Sequence, residues 1–267
     1  MDTIVKYPRT RHIYGSRLQD GDEDLEAVRL DTLKGKYLVV EEKVDGANSG
    51  ISFDSDTLEL RLQSRGHYLG LEPSYRERHF NLFKKWAVLH EGWLMDKLQD
   101  KYVAYGEWML AKHTEYYDLL PHYWMEFDVL EKSTGKFFST ARRKEFWKGC
   151  PIVSVPVVHA GPLDSLKQLS SLIRPSLYKS PNWKSALAET AKMKQLDLDR
   201  IIKETDQSDL AEGVYIKYEN DDETLERFKF VRHEFVQAIK DAEGHWLSRP
   251  IVENRLATGV DIFASQL

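Results

Sequence analysis

The sequence contains only one cysteine, Cys150, among its 267 residues. A single thiol excludes an intramolecular disulfide bond and fits a reducing compartment, so we expect a cytoplasmic protein. No apolar run approaches the roughly 20 residues that a membrane-spanning helix needs. The first 14 residues are charged and lack the apolar segment of a signal peptide, so the sequence predicts no interaction with a membrane.

Positive charge is also scarce. The chain has 38 lysine and arginine residues against 43 aspartate and glutamate residues, which gives a net charge of −5. Because nucleic-acid-binding proteins are usually basic, any phosphate contact here must come from local groups of cations. Hydrophobic residues make up 42% of the chain, an ordinary value for a globular protein, and the length suits one large domain with a small appendage.

Apolar runs and alternating segments predict strands towards both ends of the chain and helical segments between them. The predicted strands are residues 36–42, 50–53, 57–63, 102–109, 123–130, 152–158, 212–218 and 225–231. The predicted helices are residues 74–99, as one long helix or as two with a break at Gly92, and residues 164–173, 182–204 and 234–242. This arrangement indicates an α+β fold with mostly antiparallel sheets.

Residues 43–48, with the sequence KVDGAN, follow the first predicted strand. Lys43 at the end of an apolar strand is partly removed from water, and burial lowers the pKa of a lysine because it disfavours the charged form. A neutral amine is a nucleophile that can attack phosphorus. The Asp-Gly turn lets the backbone approach a ligand closely. The stretch therefore suits a nucleophilic lysine, but it also fits a plain hairpin turn with a solvated lysine.

Three further stretches contain residue types that suit a nucleotide site. Arg65, in Ser64-Arg65-Gly66, can bind a phosphate or a ribose edge. Glu107 ends a strand-like run, where its carboxylate can accept a hydrogen bond from a ribose hydroxyl or hold a metal through water. Phe127 lies in an apolar strand and can stack on a purine base. Taken singly, these residues equally fit a surface arginine, a half-buried glutamate and a core aromatic residue.

Two later stretches are charged. Glu212 and Lys217 bracket a predicted strand, and side chains five positions apart point to opposite faces unless Gly213 bends the strand. Arg227 and Lys229 alternate with phenylalanines, so both cations lie on one face of a strand, as a triphosphate site would require. A surface ion pair and a half-exposed edge strand are the ordinary alternatives.

The order of the six stretches favours one interpretation. Nucleophile, arginine, glutamate, aromatic residue, Glu-Gly and cationic strand occur once each in that order, which resembles the collinear motifs of the covalent nucleotidyltransferase superfamily. Its members are DNA ligases, RNA ligases and mRNA capping enzymes. Residues 36–235 are most similar to the RNA ligase 2-like ATP-dependent RNA ligases, whose nucleophile motif is Lys-x-x-Gly-x-Asn. The resemblance implies a nucleotidyltransferase (ATP-grasp-like ligase adenylation) domain of antiparallel sheets flanked by helices.

The resemblance also implies an activity and a site. It implies an enzyme of RNA repair that uses ATP and Mg²⁺ or Mn²⁺ to seal RNA with 3′-hydroxyl and 5′-phosphate ends, through a lysyl–AMP intermediate on Lys43. The other implied roles are Glu42 near adenine, Asn48 and Arg65 near the α-phosphate or the RNA ends, Glu107 at the ribose, Phe127 on adenine, Glu212 at the metal, and Lys217 and Lys229 at phosphate.

The last motif departs from the family pattern, because Arg227 stands where a lysine is usual. Arg227 and the nearby Arg232 are therefore candidate contacts to RNA or phosphate. Cations close to Lys43 are expected to help keep its amine neutral.

The resemblance divides the chain into three parts. We expect an N-terminal segment packed on the core at 1–35, the adenylation domain at 36–235 with a helical insertion at about 163–206, and a short C-terminal helical extension at 236–267. The flanking parts are too short for an OB domain, which argues against a DNA ligase or capping enzyme of usual build. RNA engagement then depends on the core or on a partner protein that processes RNA ends. The alternatives are a minimal DNA nick ligase and a nucleotide- or RNA-binding module without sealing activity.

Overall fold

The computed structural model describes residues 3–18, 24–235 and 250–264, which contain twelve β-strands and six α-helices. The strands β1 to β12 are Arg11–His12, Leu38–Lys43, Ala47–Phe53, Leu60–Ser64, Tyr68–Leu69, Tyr102–Trp108, Trp124–Glu131, Lys136–Phe138, Val153–Ser154, Val157–Gly161, Gly213–Glu219 and Glu223–Val231. The helices α1 to α6 are Asn81–Leu89, Glu91–Leu98, Thr140–Phe146, Leu166–Ser170, Trp183–Met193 and Leu198–Lys203. Two short 3₁₀ helices, Leu30–Leu33 and Arg78–Phe80, complete the described elements.

The strands form one sheet in the order β10-β2-β11-β12-β8-β7-β6-β3-β4-β5. All neighbours along this path are antiparallel, whereas β1 and β9 add to β12 and β7 in parallel. The short β8 is the link between two larger parts, which we call the first sub-sheet (β10-β2-β11-β12) and the second sub-sheet (β7-β6-β3-β4-β5). The expected α+β fold with antiparallel sheets is confirmed.

The second sub-sheet is covered by α1 and α2. Phe83, Trp86 and Ala87 recur at helical spacing in α1, and all three are almost completely buried against the strands. Burial of each large side chain contributes roughly 1.5–3 kcal/mol of hydrophobic stabilisation. The helical pattern predicted for residues 74–99 is thus two helices, and the break lies at His90, with Gly92 inside α2.

The first sub-sheet packs against the 3₁₀ helix Leu30–Leu33 and against α4. Val40, Val214 and Phe228 of neighbouring strands are buried against Leu33 and against Leu169 of α4. The helices α4, α5 and α6 all fall between residues 163 and 206, the region predicted as a helical insertion. Asp197 begins α6 with a side-chain cap, because its carboxylate accepts a hydrogen bond from the backbone amide of Arg200.

The described ends of the chain are extended. At the N-terminal side, β1 pairs with β12, and Tyr7 packs edge-on against Phe127 of β7. Residues 250–264 contain turns and isolated bridges, such as Glu253 with Ala111, so the predicted helical extension is wrong for this segment. Its backbone instead hydrogen-bonds to the loop that follows β6, where Lys112 N donates to the carbonyl of Val252. The remaining part of the predicted extension, residues 236–249, lies outside the described residues. Among those described, no helix is long and apolar enough to cross a membrane.

Candidate active site

A cavity of about 690 Å³ is lined by residues of both sub-sheets. Eight of the predicted site residues line it: Glu42, Lys43, Asn48, Arg65, Glu107, Phe127, Glu212 and Lys229. The other three, Lys217, Arg227 and Arg232, lie outside its lining. The topology explains the convergence, because β2, β11 and β12 supply one wall and β3, β6 and β7 supply another.

The lysine at the end of β2 meets a carboxylate from the start of β11. The strand register places Lys43 opposite Gly213, and the residue just before that glycine is Glu212. Lys43 Nζ donates a hydrogen bond to Glu212 Oε2 at 2.7 Å. The Lys43 side chain keeps 24% of its surface exposed, whereas that of Glu212 keeps 1%. The amine is therefore held in place by a buried partner and still reaches the cavity.

The surroundings of Lys43 are anionic. Burial lowers the pKa of Lys43, but the carboxylates of Glu212, Glu107 and Asp45 raise it by more, so that its pKa lies above the ordinary lysine value. The prediction that desolvation and neighbouring cations would leave a neutral amine is therefore wrong for the nucleotide-free protein. Burial also raises the pKa of Glu107 to about 8, although Lys43 opposes this shift, and burial raises the pKa of Glu212.

The Asp-Gly turn after Lys43 is fixed by hydrogen bonds on both sides. Asp45 Oδ2 accepts bonds from the backbone amides of Thr114 and Glu115 at 2.7 and 2.8 Å, and Gly46 N donates to Glu107 Oε1 at 3.2 Å. A Cβ atom at Gly46 would lie 2.8 Å from the backbone carbonyl oxygen of Trp108, which cannot move aside easily, so this position favours glycine. The role of Asp45 as the anchor of a second loop was missed, because the pattern identified it only as a turn residue.

On the predicted adenosine side of the site, Glu42 and Phe127 contact other residues, whereas an oxygen of Asn48 is available to a ligand. Glu42 accepts hydrogen bonds from Ser176 Oγ at 2.6 Å and Leu177 N at 3.3 Å, and burial raises the pKa of its carboxyl group. Phe127 packs edge-on against Tyr7 with ring centroids 5.0 Å apart. Within the described chain, the buried Oδ1 atom of Asn48 has no hydrogen-bond partner. That oxygen is an acceptor available to a ligand in the cavity.

Several lining residues escaped the sequence analysis. Tyr7 and Thr10 belong to the N-terminal segment, and both hydrogen-bond to the hydroxyl of Tyr215. His113 and Thr114 follow β6 and reach the cavity because Asp45 binds their loop. No motif signals these residues, since each is brought to the cavity by pairing with a distant part of the chain.

Lys217 is placed differently from the expectation. Its side chain is 1% exposed, and its Nζ atom lies 3.0 Å from carboxylate oxygens of both Glu41 and Asp128. Arg143 also pairs with Glu41, so the lysine belongs to a buried ion-pair network. On β11, Lys217 shares a face with Tyr215 but lies two residues farther from Lys43, where β7 covers it. The predicted grip of Lys217 on phosphate does not fit this position.

Arg227 and Arg232 are also committed to the protein interior. Arg227 Nε lies 3.0 Å from Asp128 Oδ2, and its guanidinium stacks on the ring of Phe137 at 3.7 Å. Arg232 pairs with Asp206 and donates to the carbonyl of Ala211. Because both cations are engaged in buried contacts and neither lines the cavity, the proposed RNA or phosphate contacts of these two arginines are corrected to structural pairings.

Strands β2 to β12 and most of the residues that line the cavity, including Lys43 and Glu212, lie within the region matched by one family model. The family model described as RNA ligase matches residues 36–231, and the chain belongs to the RNA ligase family. The comparison with curated proteins found no match.

Solved structures of Naegleria gruberi RNA ligase share the fold. A lysine-to-alanine variant with ATP and Mn has a TM-score of 0.51 and 13% identity, covering 79% of this chain and 54% of that chain. A glutamate-to-alanine variant with AMP and Mn has a TM-score of 0.54 and 14% identity, covering 89% of this chain and 59% of that chain. The present chain thus spans somewhat more than half the length of these proteins.

Proposed function

We propose that this protein is an ATP-dependent RNA ligase that joins 3′-hydroxyl and 5′-phosphate ends through a covalent lysyl–AMP intermediate on Lys43. The observation that carries the proposal is the hydrogen bond of Lys43 to Glu212 at the cavity, in a chain of the RNA ligase family. Lys43 is the cavity lysine that ends a strand, is fixed at its amine, and remains partly open to a ligand.

The cavity suits ATP. Its volume of about 690 Å³ lies within the roughly 300–1,000 Å³ usual for small-molecule sites. Phe127 supplies an aromatic face for adenine from one wall, Glu42 lies on the other wall, and the unsatisfied Asn48 Oδ1 can accept a hydrogen bond. We assign Glu107 to the ribose and Lys229 to phosphate, and both residues line the cavity. N. gruberi RNA ligase was solved with ATP and Mn, which supports ATP as the nucleotide.

The cavity also suits a divalent cation. The carboxylates of Glu212, Glu107 and Asp45 all raise the pKa of Lys43, so negative charge lies near its amine. Within the described residues, no group of three or more histidine, cysteine, aspartate or glutamate side chains encloses a metal by itself. Mg²⁺ is usually held by one or two carboxylates together with substrate phosphates, which agrees with this arrangement. We propose Mg²⁺ or Mn²⁺ here, with Glu212 as the principal protein ligand.

Lys43 must lose its proton before it reacts. A bound cation supplies positive charge that offsets the three carboxylates and so lowers the pKa of the amine. The Nζ atom of Lys43 then attacks the α-phosphorus of ATP, a P–N bond forms, and the P–O bond to pyrophosphate breaks. Lys229 stabilises the charge that develops on the phosphate oxygens.

Two further displacements complete the reaction. An oxygen of the RNA 5′-phosphate attacks the phosphorus of lysyl–AMP, the P–N bond breaks, and Lys43 recovers a proton. The 3′-hydroxyl of the second RNA end then attacks the activated 5′-phosphorus, loses its proton, and releases AMP. We assign the RNA ends to Arg65, which is exposed in the turn between β4 and β5 and lines the cavity.

The test is a labelling and chase experiment. The protein is incubated with α-³²P-labelled ATP and Mn²⁺ or Mg²⁺, and we expect a heat-stable labelled protein that passes its label to 5′-phosphate RNA. Lys43→Ala should abolish the label, whereas the surface variant Lys194→Ala should label normally. A labelled Lys43→Ala protein would contradict the assignment of the nucleophile.

Matched nicks separate the alternatives. The same labelled protein is offered nicked duplexes whose ends are RNA, DNA or one of each. Sealing restricted to DNA ends would make the protein a DNA nick ligase. Labelling without any joining would make it a nucleotidyltransferase that does not seal, and binding of nucleotide without labelling would leave a binding module.

A further inference from the structure

The segment 70–79, which connects β5 to the 3₁₀ helix before α1, exposes an aromatic ring beside the cavity. Tyr75 keeps 83% of its surface exposed, and the guanidinium of Arg78 lies 5.3 Å from its ring centroid. The next residue, Arg76, lines the cavity that contains Lys43. An exposed tyrosine flanked by two arginines combines a stacking surface with positive charge.

This segment is held by its own hydrogen bonds, which leave Tyr75 outside. Ser74 N donates to Asn81 Oδ1 at 3.0 Å, and Asn81 Nδ2 donates back to the carbonyl of Ser74 at 3.2 Å. Lys84 is completely buried, pairs with Glu77, and donates to the carbonyl of Glu72 at 2.9 Å. A ring presented by an ordered loop loses little conformational entropy when a base stacks on it.

The positive charge at this edge of the cavity comes from two loops. Arg65 and Arg76 are both exposed and both line the cavity. Their loops are in contact, because His67 Nε2 lies 3.7 Å from Glu77 Oε1. In the part of the chain described, no ion pair involves Arg76. On a protein of net charge −5, this pair of arginines is a local site for an anion next to the reacting lysine.

We propose that residues 70–79 bind the single-stranded 5′-phosphate end of the RNA substrate, with Tyr75 stacking on a base near that end and Arg76 binding its phosphate. The proposal rests on the RNA ligase function proposed above and names the surface that receives one of the two ends. Stacking is sequence-tolerant, since every base has a π-face, so this surface accepts ends of different sequence.

The experiment measures RNA binding and label transfer separately. Fluorescence anisotropy gives the Kd of wild-type, Tyr75→Ala and Arg76→Ala proteins, without ATP, for a single-stranded 5′-phosphate RNA. Tyr75→Ala should weaken binding by about tenfold, as expected for one lost stacking contact. Arg76→Ala should weaken binding and reduce the slope of log K against log salt by about 0.7, as expected for one lost phosphate contact on a single strand. Tyr75→Ala should leave that slope unchanged.

Controls are available on the same protein. Tyr37, 55% exposed, and Arg29, 75% exposed at its side chain, lie outside the cavity lining, so Tyr37→Ala and Arg29→Ala should bind RNA like wild type. Tyr75→Ala, Tyr37→Ala and Arg29→Ala, which change no residue of the cavity lining, should form the labelled lysyl adduct with ATP at the wild-type rate. Tyr75→Ala and Arg76→Ala should then transfer AMP to subsaturating RNA about tenfold more slowly.

The outcomes distinguish the two proposals. Wild-type Kd and salt slope in both loop variants would overturn the surface even if the adduct forms. Loss of adduct formation in the loop variants, with RNA binding unchanged, would assign the loop to ATP and overturn it as well. Tighter binding of a DNA strand, or of a blunt RNA duplex, would overturn the assignment to a single-stranded RNA end. A wild-type protein that forms no adduct, yet binds RNA through Tyr75, would overturn the ligase function and leave the surface standing.

Discussion

Lys43 Nζ donates a hydrogen bond to Glu212 Oε2 at 2.7 Å, and this contact joins the end of β2 to the residue before β11. It gives the amine of Lys43 a fixed position at the cavity. It also favours the protonated amine, because the carboxylate raises the pKa of Lys43, so the attack proposed above requires further positive charge.

The first prediction concerns the proton on Lys43. In the protein without ATP, the pH at which Lys43 becomes reactive towards an amine-directed reagent should lie above the range usual for lysine side chains. Glu212→Gln removes the largest contribution that raises the pKa of Lys43, so the midpoint for Lys43 should move to lower pH. Mass spectrometry of peptides labelled across a pH series measures the midpoint for Lys43 in wild type and in Glu212→Gln. An unchanged Lys43 midpoint in Glu212→Gln would show that Glu212 does not control this proton.

The second prediction concerns Glu107, whose pKa burial raises to about 8. A carboxyl group with a raised pKa in the folded state binds more protons there than in the unfolded chain, so its contribution to stability falls as pH rises from about 4.5 to 8. Glu107→Gln keeps an oxygen for the amide of Gly46 and removes the titration. The variant should therefore gain more stability relative to wild type at pH 8 than at pH 5 in thermal melts. Equal differences at both pH values would count against the raised pKa.

The third prediction concerns Gly46, where a Cβ atom would lie 2.6 Å from Met109 Sδ and 2.8 Å from the carbonyl oxygen of Trp108. Gly46→Ala should cost about 1–3 kcal/mol in urea unfolding, the usual range for overpacking, and should slow lysyl–AMP formation because the turn beside Lys43 must shift. Gly92→Ala is the control, since no atom lies within 4 Å of its Cβ and alanine favours the helix. A Gly46→Ala protein as stable and active as wild type would refute the close packing.

The fourth prediction separates a structural lysine from a catalytic one. Lys217→Met removes a buried cation shared by Glu41 and Asp128, which keep only Arg143 and Arg227 as partners, and it should cost about 3–5 kcal/mol, measured by urea denaturation. The exposed pair of Lys194 with Glu253 is the comparison, and Lys194→Ala should cost less than about 1 kcal/mol. A Lys217→Met protein with wild-type stability and no adduct formation would restore the phosphate-binding role predicted for this lysine.

The same network should govern acid stability. Burial raises the pKa of Asp128, but Lys217, Arg227 and Arg143 lower it by more, to about 2. A carboxylate with a depressed pKa contributes stability above its unfolded value near 4, and this contribution is lost as pH falls towards 2. Removal of Lys217 raises the folded-state pKa of Asp128, so acid unfolding of Lys217→Met should begin at higher pH than that of wild type. Circular dichroism at descending pH measures the onset, and coincident curves would argue against the coupling.

The sequence was sufficient to predict the strands that carry Lys43, Glu107 and Phe127, because each strand has a clear apolar pattern. The sequence did not predict the buried ion pairs of Lys217 and Arg227. Alternation along a strand states which face a side chain occupies, but not which neighbouring strand covers that face. Here β7 covers that face, so Lys217 and Arg227, which were expected to bind phosphate, pair with Asp128 of β7 instead.

The local sequence pattern also could not predict the raised pKa of Lys43. Apolar neighbours in β2 favour a depressed pKa for Lys43, whereas the carboxylates that reverse the shift come from β6, from the start of β11 and from the turn at Asp45. Tyr7 and the loop at Thr114 joined the cavity for a similar reason, since long-range pairing placed them there.

The pairing of β2 with β11 limits when the cavity can form during synthesis of the chain. Lys43 and Glu212 are 169 positions apart, and Lys229 follows later still. Lys43 is synthesised early, whereas Glu212 and the cavity wall formed with β11 and β12 are synthesised much later. A fragment that ends before β11 therefore lacks Glu212 and Lys229 at the cavity, and we expect it to form no adduct on Lys43.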